Sequence, residues 1–337
     1  MTKEIKIGLI GLGYWGPNLV RNFFSSKKCK LIAIADIQAE KLKKFSALYP
    51  GIETYNNAEL LIKSKDIDAV VVATPVHSHF QLAKLALENY KNVLIEKPMA
   101  SSVKEAELLV DLSVKKNRLL MVDHTFLYTG AVQKIKELID NNTIGKLKYI
   151  DSTRINLGLF QPDVNVLWDL APHDISILSY IHSEKPVAVY AHGICHTDNG
   201  IENIAYLTLK YQNDLIAHFN CSWTSPVKIR KFLIGGDKKM IVYDDMEPTE
   251  KVKLYDTGFE YKNEEDRRRI LVDYRTGDIF VPKLSTAEAL GGVANDFIDS
   301  IISNKPPLSD AVIGLNVVKI LEAAQKSIKQ RGKEIPV

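Results

Sequence analysis

An acid and an imidazole four residues apart, Asp169 and His173, could together move a proton to or from a substrate. Residues at that spacing share one face of a helix, so the carboxylate can orient the ring. An unperturbed histidine titrates near pH ~6.5, which suits proton exchange near neutrality. We expect the helix to begin at Trp168, with Pro172 in the first turn because proline has no amide hydrogen. The alternatives are that Asp169 only caps the helix and that His173 is a core residue.

A lysine directly after an apolar run is a second candidate for chemistry. Lys97 lies in Glu96-Lys97-Pro98, which follows the strand-like run Asn92–Ile95. At the carboxyl end of a strand, its ammonium group could bind a substrate hydroxyl and stabilise the negative charge of a developing alkoxide. The alternative is an ordinary surface lysine before a turn-making proline.

Three glycines near the start follow a strand-like run and precede a predicted helix: Gly11, Gly13 and Gly16. In this pattern the first permits a sharp turn, the second lets a pyrophosphate approach the backbone, and the third lets helix and strand pack closely. Asp36 ends the second predicted strand, where a carboxylate accepts hydrogen bonds from both ribose hydroxyls and repels a 2′-phosphate. The pattern predicts a dinucleotide site that prefers NAD over NADP. The alternative is a packing turn with Asp36 as a loop cap.

Polar residues also follow the third predicted strand. Thr74, in Ala73-Thr74-Pro75, either caps the next helix or contacts the dinucleotide. His77 and His79 have no acidic or thiol ligand near them in sequence, so we interpret them as solvent-facing or cofactor-edge residues. No metal site is expected.

The predicted elements change type along the chain. In the first third, short apolar strands alternate with helical patterns, which predicts a doubly wound parallel sheet covered on both faces. From about residue 124, longer strands with period-two alternation predict an α+β domain with a large, open, mostly antiparallel sheet. We expect a dinucleotide-binding domain over 1–123, a domain for substrate binding and oligomerisation over 124–305, and a final helix within 306–337.

Composition limits the partners. The 337 residues carry 44 basic and 41 acidic side chains and a net charge of +3, which argues against nucleic acid or a membrane as the main partner. The mixed charge run 263–269 is expected to be a solvated surface segment. Three cysteines without C-x-x-C spacing and the lack of a signal-like or membrane-spanning run predict a cytoplasmic protein.

Taken together, these motifs resemble the glucose–fructose oxidoreductase, inositol dehydrogenase and rhizopine-catabolism (Gfo/Idh/MocA) family. The resemblance rests on the glycine fingerprint, Asp36, E-K-P and D-x-x-x-H in this order, and extends to the tail at 307–315. It implies a Rossmann domain followed by an open sheet, a final helix packed back on the Rossmann domain, and substrate held against the nicotinamide. Many members carry an arginine where this chain reads His124–Tyr128, which removes one expected substrate contact.

The resemblance also implies roles for individual residues. Lys97, Asp169 and His173 take the catalytic positions. The cofactor set is Gly11, Gly13, Tyr14, Trp15, Gly16, Asp36, Thr74, Pro75, His79, Glu96 and Lys97. The substrate set is Lys97, Tyr128, Arg154, Asn156, Asn165, Trp168 and His173. For Arg154 and Asn165, the residues leave open strand-face solvation and loop capping, respectively.

The sequences around the glycine fingerprint and the D-x-x-x-H motif resemble those of the subgroup that acts on nucleotide-linked sugars. That subgroup implies NAD-dependent oxidation of the 3-hydroxyl of a UDP-N-acetylhexosamine-type sugar ahead of transamination. The alternatives are a dehydrogenase or ketoreductase of a free sugar, inositol or dTDP-sugar, and a non-enzymatic dinucleotide-binding regulator. Because a one-sided sheet leaves an apolar face uncovered, we expect a homodimer or homotetramer.

Overall fold

The computed structural model describes residues 4–260 and 273–337, so the charge run 263–269 lies outside the described residues. The chain divides into two compact units. The first comprises the chain up to Tyr128 together with Ala287–Lys319, and the second comprises Thr129–Thr286 together with Ile320–Val337.

The first unit contains a six-stranded parallel sheet in the order β3-β2-β1-β4-β5-β6. Its strands are β1 (Ile5–Ile10), β2 (Cys29–Ala35), β3 (Glu53–Tyr55), β4 (Ala69–Val72), β5 (Asn92–Glu96) and β6 (Leu120–Asp123). Its helices are α1 (Gly16–Ser25), α2 (Ala39–Leu48), α3 (Ala58–Lys63), α4 (Val76–Glu88) and α5 (Val103–Lys116), followed by the 3-10 helix Thr125–Tyr128. Strand β4 is apolar and buried along its whole length, and β1 is buried except at Lys6, as expected when helices cover both faces of a sheet. The predicted doubly wound fold is confirmed.

The second unit contains a nine-stranded sheet in the order β14-β13-β12-β11-β7-β10-β9-β8-β15. Its elements are α6 (Gly130–Asp140), β7 (Leu147–Leu157), α7 (Val166–Ile181), β8 (Ala188–Ile194), β9 (Ile204–Lys210), β10 (Ile216–Ser222), β11 (Thr224–Gly236), β12 (Met240–Asp244), β13 (Val252–Glu260), β14 (Asp273–Phe280) and β15 (Ile335–Pro336). All its pairings are antiparallel except that of β7 with β10. Buried and exposed residues alternate along β9, so the sheet has one covered and one outward face. The predicted open, mostly antiparallel sheet is confirmed.

The domain boundaries differ from the predicted ones near the C-terminus. Helix α8 (Ala289–Ser303) belongs to the first unit, although 124–305 was expected to form the second domain. Its apolar side joins the core of the parallel sheet, and the Phe297 ring lies 6.3 Å from the Phe23 ring in an edge-on contact. Burial of that apolar side explains why the chain returns to the first unit.

The last long helix, α9 (Ala311–Lys329), begins in the first unit and ends in the second. Near its start, the Ser309 hydroxyl donates to the Val122 carbonyl at 2.7 Å, and Gly314 packs closely on Val122. Near its end, Ser327 accepts a hydrogen bond from the amide of Ala191 on β8. The prediction that 306–337 packs on the Rossmann sheet therefore describes only the first part of this segment. Within residues 4–260 and 273–337, no helix combines the length and hydropathy needed to cross a bilayer.

Candidate active site

The glycine turn after β1 needs glycine at two positions for its own packing. Gly11 has φ +99°, and a Cβ there would lie 2.4 Å from the Ala73 carbonyl oxygen. A Cβ on Gly16 would lie 2.2 Å from the Gly11 carbonyl oxygen. Gly13 is different, because its φ is not positive and a Cβ on it would meet nothing within 4 Å. The chain itself does not require glycine at 13, so the open space beside it fits a ligand that must approach the backbone closely.

The start of α1 is suited to an anion. The helix begins at Gly16 with Pro17 in its first turn, and Trp15 at its N-cap makes no side-chain cap hydrogen bond. Pro17 has no amide hydrogen, and the Asn18 amide donates to the Trp15 carbonyl at 2.9 Å, so the Gly16 amide is the first-turn donor left for a phosphate oxygen at the positive end of the helix. Tyr14 is 89% exposed and lies beside Trp15, with the ring centroids 5.8 Å apart. Both residues lie in the glycine turn, between Gly13 and Gly16.

Asp36 is held in place by the turn it faces. One carboxylate oxygen accepts the Leu12 amide at 2.7 Å and the other accepts the Gln38 amide at 2.8 Å. Each oxygen retains a lone pair for a ribose hydroxyl. The next residue, Ile37, is 89% exposed and offers no positive charge for a 2′-phosphate. The acceptor oxygens of Asp36 fit the ribose hydroxyls of NAD.

The turn after β4 is tied to the turn after β5 through a buried histidine. His79 is 1% exposed, with one ring nitrogen 2.9 Å from the Pro98 carbonyl and the other 2.7 Å from the Thr74 carbonyl. Burial lowers the pKa of this imidazole. The interpretation of His79 as a solvent-facing or cofactor-edge residue is therefore corrected, since its ring holds two loops together from inside. Thr74 accepts a hydrogen bond from the Ser78 hydroxyl at 2.7 Å, and Pro75 is the N-cap of α4.

Lys97 follows β5 and is half-buried between the buried residues Glu96 and Pro98. Since the strands are parallel, it lies at the same carboxyl edge of the sheet as the glycine turn, Asp36 and Thr74. Ligands of open α/β sheets bind at this edge. The structure thus places Gly11, Asp36, Thr74 and Lys97 at one edge of the sheet, whereas the side chains of His79 and Glu96, also predicted to contact the cofactor, are buried.

A separate cavity lies at the opposite, amino edge of the same sheet. Its volume is about 820 Å³, and its wall includes Ile5, Asp68 and Asn92 at the starts of three strands. It is distinct from the predicted dinucleotide site at the carboxyl edge.

In the second unit, α7 begins two residues before the predicted start at Trp168. Asn165 is the N-cap, and its side-chain oxygen accepts the amides of Leu167 and Trp168 at 3.2 Å. Its amide nitrogen donates to Glu202 and Gln325. The side chain is 5% exposed, so the capping alternative describes Asn165, and the predicted substrate contact is corrected.

Pro172 also lies deeper in α7 than expected. It falls inside the helix Val166–Ile181, not in the first turn. As a proline it cannot donate to the carbonyl four residues earlier, which is that of Trp168. The missing bond falls between the two predicted catalytic positions, Asp169 and His173.

Asp169 and His173 are partly exposed polar residues of α7, and most of their neighbours on the helix are buried. The Asp169 carboxylate accepts a hydrogen bond from the indole N–H of Trp223 at 3.0 Å. Trp223 is 1% exposed, and its ring centroid lies 5.6 Å from that of Phe160. The arrangement fixes the carboxylate and offers a partly accessible imidazole one turn further along. Sequence reasoning missed Trp223, since nothing local links the end of β10 to α7.

Arg154 is placed in the interior and not at a ligand surface. It is 4% exposed, and its guanidinium nitrogens Nε and Nη2 donate to Asp174 Oδ1 at 2.8 and 2.5 Å. The hydroxyl of Ser152 donates to the other oxygen of Asp174 at 2.7 Å. The structure therefore corrects both expectations for Arg154, substrate contact and strand-face solvation.

The remaining predicted substrate residues differ in accessibility. The Tyr128 hydroxyl donates to Asp296 at 2.7 Å and lies 3.1 Å from the Ser309 hydroxyl, so it ties the 3-10 helix to α8. Burial raises the pKa of this phenol. Trp168 is 8% exposed, whereas Asn156 is half-buried near the end of β7. Of these three, Asn156 presents the most accessible polar group. Within the described part of the chain, no group of three or more His, Cys, Asp and Glu side chains is arranged to hold a metal ion.

Family models match most of the chain. Residues 5–124 match the model described as an oxidoreductase family with an NAD-binding Rossmann fold, and residues 132–242 match the GFO/IDH/MocA C-terminal domain. The 1-carboxy-3-chloro-3,4-dihydroxycyclohexa-1,5-diene dehydrogenase of Comamonas testosteroni is 25% identical over 65% of this chain. The match spans 58% of that relative's length.

Two relatives match over nearly the full length. The myo-inositol 2-dehydrogenase of Thermotoga maritima is 22% identical over 97% of both chains. The UDP-N-acetylglucosamine 3-dehydrogenase of Acidithiobacillus ferrooxidans is 24% identical over 94% of both chains. The solved structure of the latter superposes with a TM-score of 0.80 at 22% identity, covering 97% of this chain and 99% of that one. The chain therefore belongs to the Gfo/Idh/MocA family of oxidoreductases and carries the family's NAD-binding Rossmann domain.

Proposed function

We propose that this protein uses NAD to oxidise a secondary alcohol of a sugar, specifically the 3-hydroxyl of a UDP-N-acetylhexosamine-type nucleotide sugar, ahead of transamination. The observation that carries the chemistry is the partly exposed pair Asp169 and His173, one turn apart on α7, with the carboxylate fixed by Trp223. Support for the substrate class comes from the nearly full-length relative that acts on UDP-N-acetylglucosamine.

Each catalytic side chain has one task. Bound NAD supplies the hydride acceptor. His173 accepts the proton of the substrate hydroxyl as its carbon–hydrogen bond breaks, and Asp169 holds the imidazole in orientation. The ammonium group of Lys97 donates a hydrogen bond to a substrate oxygen and stabilises the negative charge that develops on it. Asn156 is the candidate contact to the sugar, being half-buried and polar.

A second candidate is a dehydrogenase or ketoreductase of inositol, a free sugar or a dTDP-sugar, which the full-length match to a myo-inositol 2-dehydrogenase favours. A non-enzymatic dinucleotide-binding regulator is the third. The retained Lys97 and His173 weigh against that third candidate.

A ligand panel separates the three candidates. The protein is incubated with NAD and either UDP-N-acetylglucosamine, UDP-N-acetylgalactosamine, dTDP-glucose, GDP-mannose, N-acetylglucosamine or myo-inositol. Thermal unfolding and NADH absorbance are then recorded. A ligand at 100 times its dissociation constant adds about 2.7 kcal/mol to the unfolding free energy. We expect stabilisation and NADH only with the UDP-sugars. NADH with inositol or another sugar alone would support the second candidate, and NAD binding without turnover of any sugar would support the regulator.

We also infer a cytoplasmic homo-oligomer. The three cysteines are free, in keeping with a reducing compartment. The outward face of the nine-stranded sheet carries large apolar side chains, among them Tyr206 at 47% and Ile216 at 51% exposure. Such a face is usually covered by a second copy of the chain.

A further inference from the structure

Two acidic side chains lie buried next to each other beside Lys97. Glu96 ends β5 and Asp123 ends β6, and the two residues are direct partners in the parallel pairing of these strands. Glu96 is 7% exposed and Asp123 is 2% exposed. As cross-strand partners, their buried side chains lie side by side on one face of the sheet.

Two ionised carboxylates would need more hydrogen-bond donors than surround this pair. The Thr125 hydroxyl donates to Asp123 Oδ1 at 2.5 Å. Glu96 Oε1 and Asp123 Oδ2 are buried and accept nothing from any donor among the described residues. Two buried ionised carboxylates side by side would combine desolvation with mutual repulsion. A proton between them converts one orphaned acceptor into a donor for the other group.

Three basic side chains lie near the pair, and Lys97 is the one that supplies a positive charge. Lys97 is the cation whose field acts on both carboxyl groups. His124 follows Asp123 and is fully buried, and burial lowers its pKa to about 3. His79 faces Lys97 from α4, and burial lowers its pKa as well. The His124 imidazole is therefore neutral near pH 7, and a single negative charge on the two carboxyl groups matches the single positive charge of Lys97.

We propose that Glu96 and Asp123 share one proton at neutral pH and act together as a singly charged counterion that positions the ammonium group of Lys97. Burial, together with the neighbouring Asp123, raises the pKa of Glu96 well above its ordinary value, whereas Thr125 and Glu96 donate to Asp123 and favour its charged form. The proton therefore resides mainly on Glu96 and the charge on Asp123. One negative charge balances Lys97, and a second would oppose an alkoxide bound there. The positioning role rests on the proposed function, whereas the shared proton does not.

Infrared spectroscopy tests the proton directly. The wild-type protein at pH 7 is expected to show the carbonyl stretch of a neutral, buried carboxylic acid. Both Glu96→Gln and Asp123→Asn remove it, because in each variant the remaining carboxyl group carries the single charge. The proposal is overturned if the band is absent from the wild type, or persists in both variants. Either variant alone suffices if the other fails to fold.

The pH dependence of stability gives a second readout. A carboxyl group whose pKa is raised on folding contributes stability below its unfolded pKa, about 4.3 for Glu. That stability is lost as the pH rises through the folded value. The amide introduced by Glu96→Gln does not titrate, so the unfolding free energy of this variant, relative to wild type, is expected to rise with pH above about 4.3. A difference that stays flat or falls with pH contradicts the shared proton.

Kinetics test the positioning role. The double variant Glu96→Gln/Asp123→Asn loses the counterion, whereas each single variant keeps one negative charge. We expect kcat of the double variant to fall about tenfold or more below that of either single variant, while the dissociation constant for NAD changes little. Equal kcat values in the double and single variants overturn the counterion role. If Lys97→Met keeps full turnover, the proposed function fails, yet the infrared result still decides the shared proton.

Discussion

At the scale of single residues, Lys97 carries the part of the proposed chemistry that is simplest to remove. Lys97→Met keeps the apolar stem and deletes the ammonium group. We expect kcat to fall about 100- to 1,000-fold, the size of a lost oxyanion donor, while the dissociation constant for NAD changes little. Steady-state NADH formation and a fluorescence titration with NAD measure the two quantities.

The control for that experiment is Lys84→Met. Lys84 lies on α4 in the same unit and forms an exposed ion pair with Glu88 at 2.7 Å, and such pairs contribute little to stability. Its loss should leave both kcat and NAD affinity near wild type. Wild-type turnover by Lys97→Met with NAD bound would remove Lys97 from the mechanism.

Arg154 gives a residue-scale prediction of the opposite kind. Arg154→Met leaves the buried carboxylate of Asp174 without its cation, so we expect a loss of about 3–5 kcal/mol in the unfolding free energy. Arg154→Met/Asp174→Asn removes the orphaned charge and should recover part of that loss. Urea denaturation measures both. Unchanged stability with a raised KM for the sugar would restore the original interpretation of Arg154 as a substrate contact.

The predicted residues differ in how well local spacing could place them. Gly11, Asp36 and Lys97 follow strands of a parallel sheet, so position along the chain alone puts them at one edge. Arg154 looked like a ligand residue because its partner, Asp174, lies on a helix far along the sequence. Asp123 was missed although it ends an apolar strand as Glu96 does, and the same rule could have identified it.

At the scale of elements, the glycine turn contains one glycine that the fold requires, Gly11, and one that we expect only cofactor binding to require, Gly13. Gly13→Ala places its methyl group in open space without positive φ, so we expect thermal stability within about 1 kcal/mol of wild type and greatly weakened NAD binding. Gly11→Ala forces a side chain against the Ala73 carbonyl at φ +99° and should destabilise the first unit itself. Calorimetry with and without NAD distinguishes the two effects.

The comparison between these variants is the informative result. Gly13→Ala that binds NAD as wild type does would show that no phosphate passes close to this backbone. Gly11→Ala that melts as wild type does would show that the turn relaxes readily. Either result would contradict the division of roles argued from the Cβ positions.

Helix boundaries show what the sequence alone could not supply at this scale. The predicted start of α7 was two residues late because Asn165 is selected as N-cap partly through Glu202 and Gln325, which are remote in sequence. Helix α8 was expected in the second domain because its amphipathic pattern does not say which sheet it covers. The contact between Phe297 and Phe23 decides that question, and it joins residues far apart along the chain.

At the scale of the whole molecule, both sheets follow from the change in hydrophobic period along the chain. Continuous apolar runs require helices on both faces, whereas alternating runs leave one face outward. That outward face includes Tyr206, Ile216 and Leu233, on three strands of the nine-stranded sheet. The side chains of Tyr206 and His218 stack there with ring centroids 6.1 Å apart. A surface with this mixture of apolar and aromatic groups fits a second copy of the chain.

Ile216→Glu tests that assembly. Ile216 is 51% exposed, and its cross-strand neighbours are Lys210 and Tyr149. A glutamate at this position lies beside the positive charge of Lys210, so we expect the monomer to remain folded. In a sheet-to-sheet interface the same carboxylate would be buried, and we expect the wild-type oligomer to dissociate. Sedimentation velocity across a concentration series measures the change, and Ile302→Glu, at a 48% exposed site in the first unit, is the matched control. A wild-type protein that sediments as a monomer at every concentration would contradict the homo-oligomer, whereas dissociation by the control alone would place the interface on the first unit.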